Sequence, residues 1–534
     1  MSKQYLLCCL PFLAILLTNC APTLELRSVE MPPTIRTKSI KIEGTDAAYT
    51  LKGKAYRFPG IVKNVQYMPQ WQYLTANFLT EQKKPAYTVY DLKKGATNWT
   101  NRGNYNLALL QKEVAMVSYQ DKRVLIDAET SLPIRWLKDE DFVVVDDSIT
   151  LNLTNQFARV DLKTGERYWT RQGEQQYAGW MTDELDGNWM YVVGDGLHGF
   201  DLMTGKGWFH EANTEYDATR GKRAWANGAL FVLNVLSLTA GGLSEFGYLE
   251  PLRAHNVHAK PQINGNQLFF ADRKEIVNLE KQTGEPFWTK ELTEELGVSD
   301  LKILENDRLL LVSKGYRYVN YAMDKDKPAL LYSIDAADGR IIHKIQLPKN
   351  EVIHDYAVND AYVYVVTKGK LYQFDQTLGN KKEIELPAIY GAPMRIIAWS
   401  SAAYDDLLKT DTPDFPLVIR TMQGVVALHP VTLEELWYQR LGTVIQEKPQ
   451  LLGSDYWQMP ILLNELDQRR FWVEEETETF WFAKARKIVG LDLLNQGKIV
   501  GEFELPSDDF WFVGDGELVQ FEGKDIRILR LETK

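Results

Sequence analysis

The stretch "VDLKTGERYWT", from Val160 to Thr170, joins the end of an apolar strand to a tight turn and a tryptophan. The arrangement returns as "FDLMTGKGWF" from Phe200, "NLEKQTGEPFW" from Asn278 and "SIDAADGRII" from Ser333. An Asp at a strand end accepts backbone N–H groups two residues on, and Gly supplies the positive φ that closes such a turn. The chain therefore repeats one small structural unit.

Aligning the copies on their acidic residue extends the repeat over most of the chain. The predicted structural turn residues are Asp91, Asp127, Asp161, Asp201, Glu280, Asp335, Asp375 and Asp492, with His429 in the same position of one copy and Glu522 in the last. Neighbouring copies are mostly about 30–40 residues apart, the length of one supersecondary unit. The longest gap, between Asp201 and Glu280, leaves room for a degenerate copy around residues 228–235.

A tryptophan follows the turn in several copies. The predicted structural tryptophans between neighbouring units are Trp99, Trp169, Trp208, Trp288 and Trp437, and Trp136 lies near the same offset. A large aromatic side chain on a strand at that offset fills the wedge between two sheets.

A hairpin signal precedes the turns. "WMYVVGDGLHGFD" (Trp189–Asp201), "FWFVGDGELVQFE" (Phe510–Glu522) and "AYVYVVTKGKLYQFD" (Ala361–Asp375) each place a Gly-containing reversal between apolar runs. Each unit is then a four-stranded antiparallel sheet without a long helix. The sequence predicts an all-β fold, one β-propeller of about eight blades with nine or ten as alternatives. The N-terminal "TIRTKSIKIEG" (Thr34–Gly44) is a candidate strand to pair with the last blade and close the ring.

The unit "LxxφDxxTGxxxW" resembles the PQQ-like propeller repeat over about residues 60–530. That family includes quinoprotein dehydrogenases and a propeller lipoprotein of the outer-membrane β-barrel assembly machine. The resemblance implies a fold, and it says little about function because enzymes and non-enzymes share it.

The family's enzymes hold a quinone on a ring of two bonded cysteines and bind calcium. All three cysteines here, Cys8, Cys9 and Cys20, precede residue 21, so that ring cannot form, although a cysteine-free variant exists in the wider family. Of the seven histidines, only His255 and His258 have ligand-like spacing, and no Cys or acidic residue lies nearby in sequence. We therefore expect no catalytic residue, no metal and no cofactor, pyrroloquinoline quinone included.

The first twenty residues, "MSKQYLLCCLPFLAILLTNC", read as a secretory signal because the apolar run is too short to span a bilayer. "LLTNC" resembles a bacterial lipobox, which makes residues 1–19 a lipoprotein signal peptide and Cys20 the acylated (palmitoylated) residue. Asn19 departs from the usual small residue, and an ordinary signal peptide is the alternative. Residues 20–38 are predicted to be a tether and 39–534 the propeller. Ala21 favours the outer membrane by resemblance to the known sorting rule.

The net charge of −11 argues against nucleic acid and bare anionic lipid as ligands. Function is expected where the repeat breaks, because loops on a rigid ring commonly bind partners. Four insertions are predicted, near residues 234–258, 314–328, 396–416 and 462–482. The first has a degenerate blade as its alternative, and the second, which is rich in tyrosine, an exposed hairpin.

Three functions remain open on the sequence. The favoured one is a non-catalytic, lipid-anchored scaffold for protein–protein contacts in a bacterial envelope complex, with outer-membrane protein assembly as the setting that the resemblance implies. A periplasmic or surface glycan or small-ligand binding protein is the second. A quinone-dependent dehydrogenase is the third.

Overall fold

In the computed structural model the chain is built almost wholly of short antiparallel strands. The structure describes residues 27–28, 35–44, 49–103, 106–119, 122–137, 142–145, 150–153, 156–173, 181–217, 253–255, 257–304, 307–319, 322–325, 327–397, 416–441, 471–474, 477–484, 486–507, 509–514 and 516–533. Within these residues the one helical element is a 3-10 turn over Ala388–Tyr390. No helix of the described part is long and apolar enough to cross a membrane.

The strands follow one another as consecutive meanders, which we number as blades. Three strands precede them: β1 (Arg27–Ser28), β2 (Arg36–Glu43) and β3 (Tyr49–Arg57). Blade 1 contains β4 (Ile61–Met68), β5 (Tyr73–Leu79), β6 (Pro85–Asp91) and β7 (Ala96–Arg102). Blade 2 contains β8 (Asn106–Gln111), β9 (Val114–Tyr119), β10 (Lys122–Asp127) and β11 (Pro133–Leu137). Blade 3 contains β12 (Phe142–Val144), β13 (Thr150–Leu153), β14 (Gln156–Val160) and β15 (Arg167–Gln172).

Blade 4 contains β16 (Met181–Asp186), β17 (Trp189–Val193), β18 (Gly196–Asp201) and β19 (Gly207–Glu211). After it come two strands outside the meander, β20 (Tyr216–Asp217) and β21 (Arg253–His255). Blade 5 contains β22 (Gln262–Asn264), β23 (Gln267–Ala271), β24 (Glu275–Glu280) and β25 (Pro286–Glu291). Blade 6 contains β26 (Ser299–Leu304), β27 (Arg308–Lys314), β30 (Ala329–Asp335) and β31 (Ile341–Gln346), and is interrupted by β28 (Arg317–Val319) and β29 (Ala322–Asp324).

The last four blades complete the series. Blade 7 contains β32 (Asp355–Val358), β33 (Tyr362–Val366), β34 (Lys370–Asp375) and β35 (Lys382–Glu385). Blade 8 contains β36 (Pro393–Ile396), β37 (Leu417–Thr421), β38 (Gly424–Leu428) and β39 (Glu435–Arg440). Blade 9 contains β40 (Phe471–Glu474), β41 (Thr479–Lys484), β42 (Lys487–Asp492) and β43 (Lys498–Glu504), and blade 10 begins with β44 (Phe510–Gly514), β45 (Glu517–Glu522) and β46 (Asp525–Thr533).

Blade 10 takes its remaining strands from the other end of the chain. Its order is β2-β3-β46-β45-β44, with Tyr49 opposite Thr533 and Arg57 opposite Asp525. Gly53 lies opposite Leu529, and a Cβ at Gly53 would overlap the carbonyl of Ile528. The N-terminal strands therefore close the ring on the last blade.

The ring is held by a hydrophobic cluster at each boundary between blades. The ten clusters join blades 1–2, 2–3, 3–4, 4–5, 5–6, 6–7, 7–8, 8–9, 9–10 and 10–1 in turn. The cluster that closes the circle packs Val519 and Ile526 of blade 10 against Leu74 and Phe78 of blade 1. Stacking each sheet between two neighbours buries both of its faces, so the series of sheets is a closed β-propeller.

The ring has two rims, and the order of the strands determines which turns lie on each of them. Last strands such as β15 and β25 are mostly exposed, whereas first strands of neighbouring blades contact one another, as β22 does β26 and β32 does β36. First strands therefore line the axis. The turns after the first and third strands lie on one rim, the turn rim. The turns after the second strands and the connections between blades lie on the other, the connection rim.

The predicted all-β propeller is confirmed. Of the eleven sheets among the described residues ten are blades, which is the upper end of the range that the sequence left open. Two boundaries differ from those predicted. Residues 36–38, assigned to the tether, already lie in β2, and residues 471–474 and 479–482, assigned to an insertion, lie in the first two strands of blade 9. The consecutive aromatic residues at both ends of "FWVEEETETFWF" suit paired β-strands.

Candidate functional site

An eleventh sheet lies outside the blades and is made from two breaks in the repeat. It has the order β20-β21-β28-β29, and we call it the insertion sheet. Tyr216 pairs with Ala254, Ala254 with Val319, and Arg317 with Asp324. One half comes from the connection between blades 4 and 5, and the other from the hairpin between the second and third strands of blade 6. Both origins place the insertion sheet on the connection rim.

A small apolar cluster seats this sheet on the ring. Tyr316, Met323 and Val352 are buried together, with Val298 and Tyr318 packed against them. The amide of Val298 donates to the Tyr316 carbonyl at 2.7 Å, and the amide of Lys314 donates to the Val298 carbonyl at 2.8 Å. Val298 and Val352 belong to the connections that enter blades 6 and 7, so the seat spans two blade boundaries.

A cationic clasp around one tyrosine holds the other side of the sheet. The Arg273 guanidinium of blade 5 lies 4.0 Å from the centre of the Tyr216 ring, Arg317 lies at 5.4 Å and Lys327 at 5.7 Å. Arg317 also donates to the Tyr216 hydroxyl and pairs with Asp324 at 3.2 Å. Three cations from two blades thus converge on a residue of the connection after blade 4.

Glu295 balances two of these cations. It lies 3.2 Å from Arg273 and 2.8 Å from Lys327. Burial alone would raise the pKa of Glu295, but the hydrogen bond and charge of Lys327, with Arg273, hold that pKa below its usual value. The clasp is therefore an ion-pair network across the boundary between blades 5 and 6.

A second charged group lies at the axial ends of blades 6 to 8. The Lys314 ammonium is 2.7 Å from the Asp300 carboxylate, and Asp355 accepts the amide of Ile396 at 2.8 Å. Burial would lower the pKa of Lys314, but the negative charges of Asp300 and Asp355 raise it above its usual value. Lys314 therefore keeps its positive charge at the end of β27, three residues before β28 begins.

Two histidines in connections between blades, on the connection rim, are buried and uncharged at neutral pH. His258 lies in the connection before blade 5, and burial lowers its pKa to about 4 despite the opposing charge of Asp272. His354 lies in the connection before blade 7, where burial also lowers the pKa to about 4 and its Nδ1–H donates to the Pro393 carbonyl at 2.9 Å. His255 lies in β21. The described part of the chain contains no group of three or more potential metal ligands.

The predicted turn residues lie on the turn rim. Nine of the ten sequence positions, from Asp91 to Asp492, fall between the third and fourth strands of blades 1 to 9. The Asp201 carboxylate accepts the amides of Met203 at 3.0 Å and Thr204 at 2.7 Å, and the amide of Gly205 donates to the Asp201 carbonyl at 2.8 Å. The amide of Thr164 likewise holds the pKa of Asp161 below its usual value.

Other copies show the same turn with different side chains. Carboxylate acceptors of amides two or three residues on occur at Asp91, Asp127, Glu280, Asp335, Asp375 and Asp492. His429 uses Nδ1 to accept the amides of Val431 and Thr432, both at 3.2 Å. Glu522 differs, because its turn joins the second and third strands of blade 10 and so lies on the connection rim.

The predicted tryptophans link neighbouring blades. Trp99, Trp169, Trp208 and Trp288 each donate from Nε1 to a carbonyl of the next blade, that of Ala128, Leu202, Lys281 and Ala336 respectively, at 2.8–2.9 Å. Each acceptor directly follows the acidic turn residue. Trp437 packs on Gly497 of blade 9. In blade 2, Arg135 packs on Gly165 instead, and Trp136 is 52% exposed.

Two predicted insertions lie mostly outside the described residues, those near 234–258 and 396–416. Cys20 also lies outside them. The 314–328 insertion contains the β28–β29 half of the insertion sheet. Sequence reasoning missed the clasp residues Tyr216, Arg273 and Glu295, because their partners are distant in sequence. The tyrosine-rich composition of residues 314–328 was the one sequence feature that pointed to this site.

Comparison with known proteins does not assign the chain to a family. No family model matches the chain, and no curated protein matches it. Among solved structures, BamB from Moraxella catarrhalis is 12% identical over 76% of this chain and 99% of its own, with a TM-score of 0.33. Hsv2p from Kluyveromyces lactis is 11% identical over 63% and 96%, with a TM-score of 0.27. A eukaryotic initiation factor is 8% identical over 92% and 98%, with a TM-score of 0.36. At these values the likenesses carry no argument about function.

Proposed function

We propose that this protein is a non-catalytic scaffold of a bacterial envelope complex, anchored to the outer membrane by a lipid on Cys20. Its ring would present fixed surfaces to partner proteins. Outer-membrane protein assembly is the setting that the repeat resemblance implies.

The insertion sheet is the observation that carries this proposal. It joins strands that are distant in sequence, and the apolar seat and the cationic clasp fix it to the connections before blades 6 and 7 and to the Arg273 turn of blade 5. A loop fixed in this way presents a preorganised surface, which lowers the entropy cost of binding a partner. The aromatic and arginine residues beside it are types enriched in protein interfaces.

The test is affinity capture of the tagged, full-length protein from gently solubilised envelope, read by mass spectrometry. The expected result is a stoichiometric partner that is lost in the Cys20→Ser variant, which cannot be acylated. A protein that is captured alone would overturn the scaffold. Titration with glycans and with pyrroloquinoline quinone plus calcium would then distinguish the two alternative functions.

A matched pair of charge reversals locates the contact. Lys325 is exposed beside β29 on the connection rim, and Lys93 is exposed in a turn of blade 1 on the turn rim. We expect Lys325→Glu to reduce the captured partner several-fold and Lys93→Glu to leave it unchanged. Equal capture by both variants would exclude the insertion sheet as the contact.

A further inference from the structure

The path of the N-terminal chain sets which rim lies near the lipid anchor. β2 starts at Arg36, which pairs with Arg57 at the end of β3, and the chain passes from Arg57 directly into blade 1. Because connections between blades lie on the connection rim, Arg36 lies there as well. Antiparallel pairing makes β2 run from the connection rim towards the turn rim.

The two residues of β1 give the same result independently. Arg27 pairs with Arg102, the last residue of β7, from which the chain passes to blade 2. The seven residues from Cys20 to Arg27 span at most about 25 Å when fully extended. Strands of six to eight residues make the ring roughly 20–27 Å thick, so Cys20 could reach the turn rim only if the tether ran fully extended along the whole ring.

Exposed cations on the connection rim suit the same orientation. The turns between second and third strands on the connection rim carry Lys83, Lys84, Lys274, Lys368 and Arg486, all of which are exposed. Acidic residues on this rim are partly neutralised, as Glu81 is by Lys524 at 3.1 Å and Glu295 is by Lys327 at 2.8 Å.

The first turns of blades 6, 7 and 9, on the turn rim, carry acidic residues instead, whereas exposed lysines such as Lys93 and Lys163 lie in the third turns of the same rim. Asp307 and Asp360 are exposed there, and Glu478 lies in the turn of blade 9, within the sequence run "EEETE". Anionic headgroups attract lysine and arginine and repel carboxylates, within about 10 Å at ordinary ionic strength.

We infer that the connection rim, which carries the insertion sheet, faces the phospholipid surface, and that the turn rim faces away from it. This inference rests on the proposed lipid anchor at Cys20. The surface opposite the connection rim is lipid, and a protein partner would then contact the insertion sheet at the level of the headgroups.

Cysteine labelling tests the orientation directly, because every native cysteine lies at or before position 20. Lys84→Cys and Lys93→Cys put a thiol on the connection and turn rims of blade 1, and both replace an exposed lysine. Lys368→Cys and Asp360→Cys do the same in blade 7. Each acylated variant is labelled with a fluorophore and reconstituted in vesicles containing phosphatidylglycerol and a headgroup-labelled, short-range energy acceptor.

We expect energy transfer at positions 84 and 368 to exceed that at 93 and 360 several-fold. Equal transfer on both rims, or greater transfer at 93 and 360, would overturn the inference. The mass of the purified chain and the vesicle binding of Cys20→Ser are read in parallel. An unacylated Cys20 would instead overturn the anchor in the proposed function, so the two failures are distinguishable.

Discussion

The indole Nε1 of Trp169 in blade 3 donates a hydrogen bond of 2.9 Å to the carbonyl oxygen of Leu202 in blade 4. The ring also lies on Gly205, where an added Cβ would overlap it. The Trp169 side chain therefore contacts the turn of the next blade in two ways, through a hydrogen bond and through packing of the indole ring on Gly205.

Replacing Trp169 by Phe tests the hydrogen bond. Phe fills much of the same space but leaves the Leu202 carbonyl without the indole donor. We expect the free energy of unfolding to fall by about 1–3 kcal/mol, the cost of an unpaired buried acceptor with some lost packing. Chemical denaturation measures this, and Trp136→Phe, at a half-exposed tryptophan, is the control. A loss below about 0.5 kcal/mol would show that the bond adds little.

Substitution of Gly205 tests the packing of the Trp169 ring on the turn. Gly205 and Gly95 occupy the same turn position with φ of 69° and 66°, but nothing lies within 4 Å of a Cβ on Gly95. We expect Gly95→Ala to cost about 1–2 kcal/mol, the strain of an L-residue at positive φ. Gly205→Ala should cost about 2–3 kcal/mol more because it displaces Trp169. Thermal unfolding of both variants is the measurement, and equal losses would contradict the packing role.

Ring closure depends on a glycine in β3. A side chain at Gly53 would overlap the Ile528 carbonyl, so we expect Gly53→Val to separate β3 from β46. Limited proteolysis should then cleave near the N-terminus, and the midpoint of thermal unfolding should fall by several degrees. Lys54→Val, at the exposed neighbouring position, is the control and should behave like the wild type. A resistant Gly53→Val protein would show that β3 stays paired with β46 despite the added side chain.

Acid should weaken the ring partly through His354. Its folded-state pKa of about 4 lies below the unfolded value of about 6.5. The unfolded chain therefore binds a proton first as the pH falls, and stability is lost between pH 6.5 and 4 by about 3 kcal/mol. His354→Gln retains an amide donor for Pro393 and removes the titration. Urea unfolding at pH 7 and 4.5 should show a smaller loss in the variant, and parallel losses would assign the effect elsewhere.

The clasp should hold the insertion sheet without supporting the ring. Tyr216→Ala removes the face on which Arg273, Arg317 and Lys327 converge. We expect faster amide hydrogen exchange over residues 317–324, with a change in global stability below about 1 kcal/mol. Tyr168→Ala is the control, because Tyr168 is half-exposed on β15 and has one arginine, Arg159, 5.0 Å from its ring centre. Unchanged exchange would show that the apolar seat is sufficient.

The repeat was readable because its determinants are local. The Asp, the Gly and the Trp of "DLKTGERYW" lie within nine residues, so a single sequence shows the turn and the neighbour contact together. The ten turn positions match the number of blades more closely than the favoured prediction of about eight does. The 79-residue gap after Asp201 held the β20–β21 half of the insertion sheet rather than a described blade.

The insertion sheet could not be read in the same way. Tyr216 meets Arg317 across 101 residues of sequence, and the meeting depends on how blades 4, 5 and 6 stack. Nothing in the spacing of single tyrosines and arginines predicts a contact between residues so far apart in sequence. Arg135 shows the same limit, because only the register of β10 and β11 reveals that it, and not Trp136, faces the turn of blade 3.

The composite tenth blade also constrains how the protein is made. Lys52 and Glu532 form an ion pair across 480 residues, so the N-terminal strands are synthesised long before their partners exist. Until the C-terminus arrives, β2 and β3 expose unpaired backbone and the growing row of blades has two open ends. Loop-closure entropy makes the final joining slow. An exported chain would therefore need protection of its N-terminal strands during secretion, and shutting the circle would be the last event of its folding.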